Sequence, residues 1–474
     1  MHRRRLPTPT RLELARRGAV IARVVHRHFA PIALRQAREL HNGVLAPSVL
    51  ARPLRLVAES LGGTFMKFGQ MIASSPGLFG EDLADEFRSC LDTGPPVAFT
   101  EVRQRIEDDL GMTLEEAYAE FDREPIGRAS IAVVHRARLH DGREVAVKVL
   151  RPGIEHLVAT DLDLMQPLVD LLTRLTGDQI AGATLQLLDG LRLQLAEELD
   201  LRNEARALAH FRALGTEVDL PLIVVPEPHP GRSGMNVLTM ELLHGVPVDD
   251  LARVAELGHD PAPLVEQVVR SFFVTAVRWG AFHGDVHAGN MLALEDGRIG
   301  IIDWGIVGRL DPETHRFLIR LMEGVLGDEA AWADVTAHLT RTYGRAIQEG
   351  LGLDDGQLVV FLRDLIEPTL TRPFGEVSLA ALIAAPQIQA ARALGVRAHE
   401  RSLRSVLVRL RAQRRMRRIA DEAGGLMSEF DRGAFLLGKQ LMYFERYGKL
   451  FLADVPLMHD RQFFVSLLAE AERS

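Results

Sequence analysis

A single cysteine, Cys90, stands in 474 residues. One thiol excludes an internal disulfide and any zinc site built on cysteines, and it suits a reducing compartment, so a cytosolic-side protein is expected. Lysine is almost as scarce: of 56 lysines and arginines only Lys67, Lys148, Lys439 and Lys449 are lysine. Arginine serves wherever a generic surface cation will do, so a retained lysine is a candidate for a site that wants a compact ammonium rather than a planar fork. Long apolar runs are missing as well. The best stretch, "VVRSFFVTAVRWGAF", is broken by Arg270 and Arg278 and falls short of the roughly 18 residues of a spanning helix, so no integral membrane protein is expected. The basic start, "MHRRRLPTPTRLELARR", has no apolar core, and its first serine is Ser48; a cleaved targeting segment is not favoured.

What is present is ample for a real core. Apolar residues make up 47% of the chain, and its length allows one large two-lobed domain or two to three ordinary ones. Charge is unevenly spread. Residues 1 to 55 carry twelve arginines against Glu13 and Glu39, whereas the whole chain has a net charge of −8. A basic arm on an acidic body suggests an anionic partner, lipid headgroups or nucleic acid, with a solvated face as the commoner explanation. A second basic segment, "RSLRSVLVRLRAQRRMRR" at 401 to 418, sets Leu403, Val406, Leu407 and Leu410 among arginines. On a helix such a stripe suits packing, the commoner fate, or an anionic bilayer surface.

Along the chain, residues 11 to 75 read as helices, with apolar positions three and four apart at Leu54, Val57, Leu61, Phe65, Phe68 and Met71. "DTGPPVAF" at 92 to 99 marks a boundary. After a helix around "EVRQRIEDDL" the pattern turns to strand: "SIAVVHRARL", the turn "HDGR", then "EVAVKVL", a hairpin signalled by Asp-Gly. Residues 155 to 215 return to helix. "VDLPLIVVPEP" and "MNVLTMELLHG" read as two further strands, and 261 to 281 as a helix. A second hairpin follows, "MLAL", "EDGR", "IGIID". From Asp311-Pro312, an N-cap with proline at N1, the chain reads as helical to its end.

The second hairpin carries the chemistry. In "HGDVHAGN" Asp285 precedes Asn290 by five residues, and "DWG" at 303 to 305 follows the next strand. These are the spacing and order of a kinase catalytic loop and its magnesium-binding Asp-Phe-Gly, in which the first aspartate handles the nucleophile's proton while the asparagine and second aspartate hold metal. Carboxylate and amide oxygens are the hard ligands magnesium prefers. Upstream, "VAVKVL" puts Lys148 mid-strand, where a lysine needs an anionic partner. Nucleotide phosphates and a helix glutamate would supply one, with Glu204 of "EELDLRNEARAL" the choice. Taken singly, Lys148 on an edge strand and Glu198, Glu204 and the neighbouring arginines in a solvated face are the commoner reading; beside the metal-binding pair, the nucleotide site is favoured. His283 and His287 flank Asp285, but the segment reads as a loop with no third ligand, so zinc is not expected; hydrogen bonds that orient the loop are.

With these motifs in hand, the chain resembles the ABC1/UbiB/ADCK family of atypical kinase-like proteins over roughly residues 50 to 450. The family's Lys-x-Gly-Gln appears as "KFGQ", Lys67 to Gln70. Its acidic and Pro-Pro stretch appears as "EDLADEFRSCLDTGPP", its Glu-x-Asp as Glu198 and Asp200, and its closing helix as "LLGKQLMYFERYGK". Lys67 and Gln70, three apart, share one helix face. The resemblance implies that this helix folds over the active site and that Lys67 pairs with Glu198 or Asp200; Lys439 is expected outside the site. The phosphate loop departs from the family's Ala-rich pattern: it reads "GRASIAVVH", with Gly127 and Arg128 where two alanines are usual. Arg128 either clamps a phosphate or projects into solvent. Gly127, Arg128, Ala129, Ser130 and Glu241 complete the expected nucleotide contacts.

Two departures speak against a protein substrate. Gly284 occupies the place of the catalytic-loop arginine, and only five residues separate Gly305 from Asp311, too few for an activation segment. The expectation is therefore an α+β, two-lobed, atypical kinase-like fold: a helical extension at 1–98, a kinase-like N-lobe at 99–245 and a helical C-lobe at 246–474. Its cofactors are ATP and Mg2+, with Asp285, Lys148 and Glu204 catalytic and Asn290 and Asp303 on the metal. The resemblance implies ATPase or kinase chemistry in isoprenoid-quinone or other membrane-lipid metabolism. The partners would be a nucleotide, a lipid or quinone-type small molecule and an anionic membrane surface touched peripherally, and not nucleic acid. The rivals are a non-catalytic nucleotide-dependent scaffold and a small-molecule phosphotransferase.

Overall fold

A computed structural model describes residues 4–36, 47–73, 81–88, 94–176, 188, 190–217, 223–343, 352–378 and 432–471. Cys90 and the basic segment 401–418 lie outside the described residues. Two compact units divide the chain: residues 1–247 with 288–306, and residues 248–287 with 307–474.

The first unit is built on an antiparallel sheet. Strands β1 (Glu120–Phe121), β3 (Ala132–Arg138), β4 (Glu144–Leu150) and β5 (Val237–Glu241) lie in that order, and β2 (Gly127–Arg128) also pairs with β3. The β3–β4 register sets Val134 opposite Lys148, and the turn between them closes at Gly142, whose φ of 90° only glycine adopts readily. Side chains alternate across a strand. Val145, Val147 and Val149 therefore face one core, with Val102 and Ile106 of the Phe99–Leu110 helix, while Ala146, Lys148 and Leu150 face the other way. Residues of β4 are buried on both sides, which makes Lys148 a central-strand lysine rather than an edge one.

A helix covers that second face. Arg202–Glu217 buries Glu204, Ala207, Leu208, Phe211 and Leu214, a stripe at three- and four-residue spacing. The helices Arg11–Gln36, Pro47–Leu61 and Gly63–Ala73 belong to the same unit, the last two separated at Gly62, φ 63°. Several arginines of the basic arm are spent on folding: Arg17 donates to both oxygens of the fully buried Asp161 at 2.6 and 3.1 Å, and Arg4 donates to Glu155 at 2.7 Å and to the Leu199 carbonyl at 3.0 Å. A three-stranded antiparallel sheet, β6 (Gly245–Pro247), β8 (Met291–Leu294) and β9 (Ile299–Ile301), completes the unit.

The stretch "VDLPLIVVPEP" was expected to be a strand. Its described residues make only isolated bridges, Val224 with Gly300 and Pro228 with Met240. Pro226 and Pro228 have no N–H for a ladder, which breaks the strand pattern the valines suggest.

In the second unit, β7 (Ala281–His283) pairs antiparallel with β10 (Val307–Arg309). Around this ribbon lie the helices Pro261–Trp279, Pro312–Val325 and Arg432–Phe451, among others. Asp260 and Asp311 cap the first two through their carboxylates, each followed by a proline in the first turn. Phe272 stands edge-on to both Phe282 and Phe444, with centroids 5.1 and 4.9 Å apart, joining a helix, a strand and the 432–451 helix in one aromatic core.

Candidate functional site

In the first unit three charged residues from three elements converge. Lys148 Nζ donates to both carboxylate oxygens of Glu204, each at 2.9 Å, and to Asp303 Oδ2 at 3.2 Å. Glu204 lies in the first turn of its helix, where exposed N–H groups favour a carboxylate. It also accepts the Trp304 backbone N–H at 3.2 Å. The Trp304 ring packs 4.6 Å from Phe211, two turns further along the same helix, and its indole N–H donates to the Ile301 carbonyl at 2.8 Å. The Asp-Trp-Gly stretch is thus nailed to the helix that holds Lys148.

The electrostatics follow from this geometry. Burial works against the charge of Lys148, but Asp303 and Glu204 outweigh it and hold the ammonium above lysine's usual range. Burial pushes Glu204 up against the pull of Lys148. For the pair, the charged lysine is the direction that decides, because two carboxylates share it. Asp303 is ringed by protein, which disfavours its charge, yet Lys148 and Lys67, with the Gly305 N–H at 3.0 Å, hold its carboxyl well below the usual carboxylate range. Half of its side chain is nevertheless accessible, 51%. An ionised carboxylate with an open side is what a hard cation can use.

Asn290 ends the short turn Ala288–Asn290 and is buried. Its carbonyl accepts the Ile302 N–H at 3.0 Å, and Met291 pairs with Ile301, so the hairpin brings Asn290 and Asp303 to the same end of its two strands. An amide and a carboxylate oxygen fit magnesium. Among the described residues no group of three or more His, Cys, Asp or Glu could hold a metal ion.

Lys67 lies on the Gly63–Ala73 helix with Gln70 one turn on, and its Nζ is 3.4 Å from Glu198 Oε2. Gln194 donates to the other oxygen of Glu198 at 2.7 Å. Lys67 therefore meets Glu198, one of the two acids expected, and Asp200 has another partner. Its carboxylate accepts Arg202 Nε at 2.8 Å and Nη2 at 2.7 Å, a fork two residues away that a more distant ammonium does not displace.

Of the loop residues, Gly127 and Arg128 form β2, and the Arg128 side chain, 45% exposed, reaches only Glu124, at 3.7 Å. Ser130 is buried. Ala129 is fixed through its carbonyl, which accepts Arg151 Nε at 2.9 Å while Arg151 Nη1 donates to the Pro95 carbonyl at 2.5 Å. Gly94 lies so close to this guanidinium that a Cβ would sit 2.0 Å from Nη2. The Gly-Pro-Pro stretch is thereby stapled to the segment after β2, a contact that nothing in the local pattern announces. Glu241 ends β5 and accepts the Glu227 N–H at 3.1 Å.

Asp285 belongs to the second unit, just after β7. Its N–H donates to His283 Nδ1 at 3.1 Å. Lys439, expected outside the site, donates to Asp285 Oδ1 at 2.6 Å, and the adjacent Gln440, fully buried, accepts the Val286 N–H at 3.0 Å. The rarity of lysine is the signal that could have found Lys439: Lys67, Lys148 and Lys439 each meet an acid of a motif, whereas Lys449 makes a surface pair with Glu445.

A central-strand lysine clasped by a helix glutamate, with an Asp-Trp-Gly aspartate beside it and an Asp-x4-Asn loop before it, defines a kinase-like protein. The family model for the ABC1 atypical kinase-like domain matches residues 89–334, and the chain belongs to that family, with its α+β kinase-like fold. An uncharacterised protein of Mycobacterium tuberculosis is 34% identical over 430 residues, covering 87% of this chain and 78% of that protein. An uncharacterised aarF domain-containing protein kinase, chloroplastic, of Arabidopsis thaliana is 32% identical over 432 residues, 90% of this chain and 76% of that one. A probable protein kinase UbiB of Xylella fastidiosa is 33% identical over 350 residues, 70% of this chain and 60% of that protein.

Proposed function

We propose that the chain binds Mg-ATP and either hydrolyses it or transfers its terminal phosphoryl group, acting in isoprenoid-quinone or other membrane-lipid metabolism. One observation carries the reading: Lys148 is bonded at once to Glu204 and to Asp303, and a buried central lysine held on two acids is an oriented phosphate ligand. Asp303 and Asn290 would hold the metal. When bound there, magnesium would offset the negative charge that develops on the phosphate. Lys148 grips phosphate oxygens and keeps its direction through Glu204. Asp285 accepts the nucleophile's proton. Lys67, on Glu198, closes the nucleotide side.

A lipid substrate agrees with the missing activation segment and with the family resemblance. Among the described residues no helix is long and apolar enough to cross a membrane; the contact with lipid proposed here is peripheral, through arginine-rich sequence such as 401–418, which lies outside the described residues. Calorimetry with Mg-ATP tests the metal assignment: Asp303→Asn should weaken binding by a few kcal/mol, and unchanged affinity rules the assignment out. Co-sedimentation with liposomes containing cardiolipin or phosphatidylglycerol, reversed by salt and accompanied by faster ATP turnover, tests the lipid side. Absence of binding at low salt sinks it.

A further inference from the structure

The second unit holds Asp285 in a way the kinase-like motifs do not supply. The loop after β7 is gripped at two successive residues by two successive residues of the Arg432–Phe451 helix. Lys439 Nζ donates to Asp285 Oδ1 at 2.6 Å, with side chains 12% and 19% exposed. Gln440 accepts the Val286 N–H at 3.0 Å and donates to the Val286 carbonyl at 3.5 Å. The helix itself is firmly seated. Phe444 meets Phe272 edge-on, and Gly448 has no Cβ because the Phe374 ring lies 2.3 Å from where one would be. Tyr443, one turn beyond Lys439, sets its ring 5.8 Å from the ammonium.

The two grips differ in kind. Gln440 satisfies a backbone N–H and C=O, which is enough to hold the chain path. Lys439 addresses the carboxylate. In a protein where 56 basic residues include only four lysines, the choice of lysine matters. A guanidinium fork imposes a planar, two-point geometry on a carboxylate, as Arg17 does on Asp161, whereas an ammonium is a compact point donor that imposes no such plane, as Lys439 on Asp285 Oδ1.

Resting on the reading of Asp285 as the base, we infer that Lys439 is a positioning residue: its bond to Oδ1 fixes the Asp285 carboxylate on the loop after β7. The closing helix is then part of the catalytic apparatus and not only a wall of its unit.

The test uses the full chain, Mg-ATP turnover, and backbone hydrogen exchange over residues 283–288. Lys439→Met should lower kcat about tenfold or more with KM for Mg-ATP changed less than about twofold, and it should speed exchange in the loop. Lys439→Arg should keep the loop protected and still lower kcat, because a planar fork turns the Asp285 carboxylate to its own geometry. Lys449→Met, at the surface pair, should match the wild type in both measurements. In an Asp285→Asn background, Lys439→Met should cost less than about a further twofold. Full turnover in Lys439→Met or Lys439→Arg, or an equal loss with and without Asp285, overturns the inference. If Asp285→Asn itself turns over normally, the reading of Asp285 as base fails instead. Exchange still decides the contact in that case: a loop equally protected in Lys439→Met and wild type refutes it.

Discussion

Lys148 and Lys439 each meet a motif acid with side chains similarly shielded, 11% and 12% exposed, and what differs is the acid: Glu204 is 3% exposed and Asp285 19%. Lys148 is in a central strand and answers two carboxylates, one of them as buried as itself. Lys439 reaches from a helix to a loop, and its acid keeps some contact with solvent. Removing one member of a buried pair leaves an uncompensated charge in a medium that solvates it poorly, whereas a partly exposed pair is screened on either side of the change. The same chemical contact is therefore part of the fold in one unit and chiefly a matter of geometry in the other.

The sharpest way to break that comparison is Lys148→Met. It strands Glu204 beside the Asp303 carboxylate, and a loss of about 3–5 kcal/mol in the urea stability of the first unit is expected. Adding Glu204→Gln should recover much of that loss, since the buried charge goes with it. Lys439→Met should cost under about 1 kcal/mol. Similar losses for the two methionine variants would erase the distinction between the units.

A smaller effect separates the two grips of the closing helix. Gln440→Ala leaves the Val286 N–H and carbonyl without their buried partner, an expected cost of about 1–3 kcal/mol, visible as a lowered midpoint for the second unit. It exceeds the cost of Lys439→Met although it removes no charge. A Gln440→Ala protein as stable as the wild type would mean that the loop path is held by its own turn.

Much of the first unit was legible because its signals are local. Asp-Gly turns announce both hairpins, period-two alternation puts Lys148 on a different face from Val147, and Glu204 heads a helical stripe. Lys67 meeting Glu198 came with the family motifs, not with periodicity. What escaped was set by packing between distant segments. Lys439 and Asp285 lie 154 residues apart, and no spacing rule reaches that far; only the scarcity of lysine hinted at it. Of the two acids open to Lys67, Asp200 is held by Arg202 two residues away, a proximity that the family motif does not announce. Trp304 stands where the kinase motif has phenylalanine, and its seat on Phe211 needs the helix in place.

The same sheet offers a neutral counterpart to the Lys148 pair, and with it the smallest of these effects. On the core face, away from Lys148, the Tyr118 hydroxyl is 2.7 Å from Thr239 Oγ1. Thr239 gives its own hydrogen to the Arg232 carbonyl at 2.6 Å, so Tyr118 must be the donor. Deprotonation would remove that donor and bury a phenolate, and burial, only partly opposed by the Thr239 bond, pushes the phenol up to about 12. An unfolded tyrosine titrates near 10. Between those values the unfolded chain releases the proton and the folded chain keeps it, so stability falls as pH rises through this window and is unaffected by the group below it. Relative to Tyr118→Phe, which lacks the proton altogether, the wild type should lose about 1 kcal/mol between pH 9 and 11. Urea curves for both proteins across that range measure the difference. A gap that stays constant with pH would mean that the phenol titrates alike in both states and that the face opposite Lys148 is wetter than its packing implies.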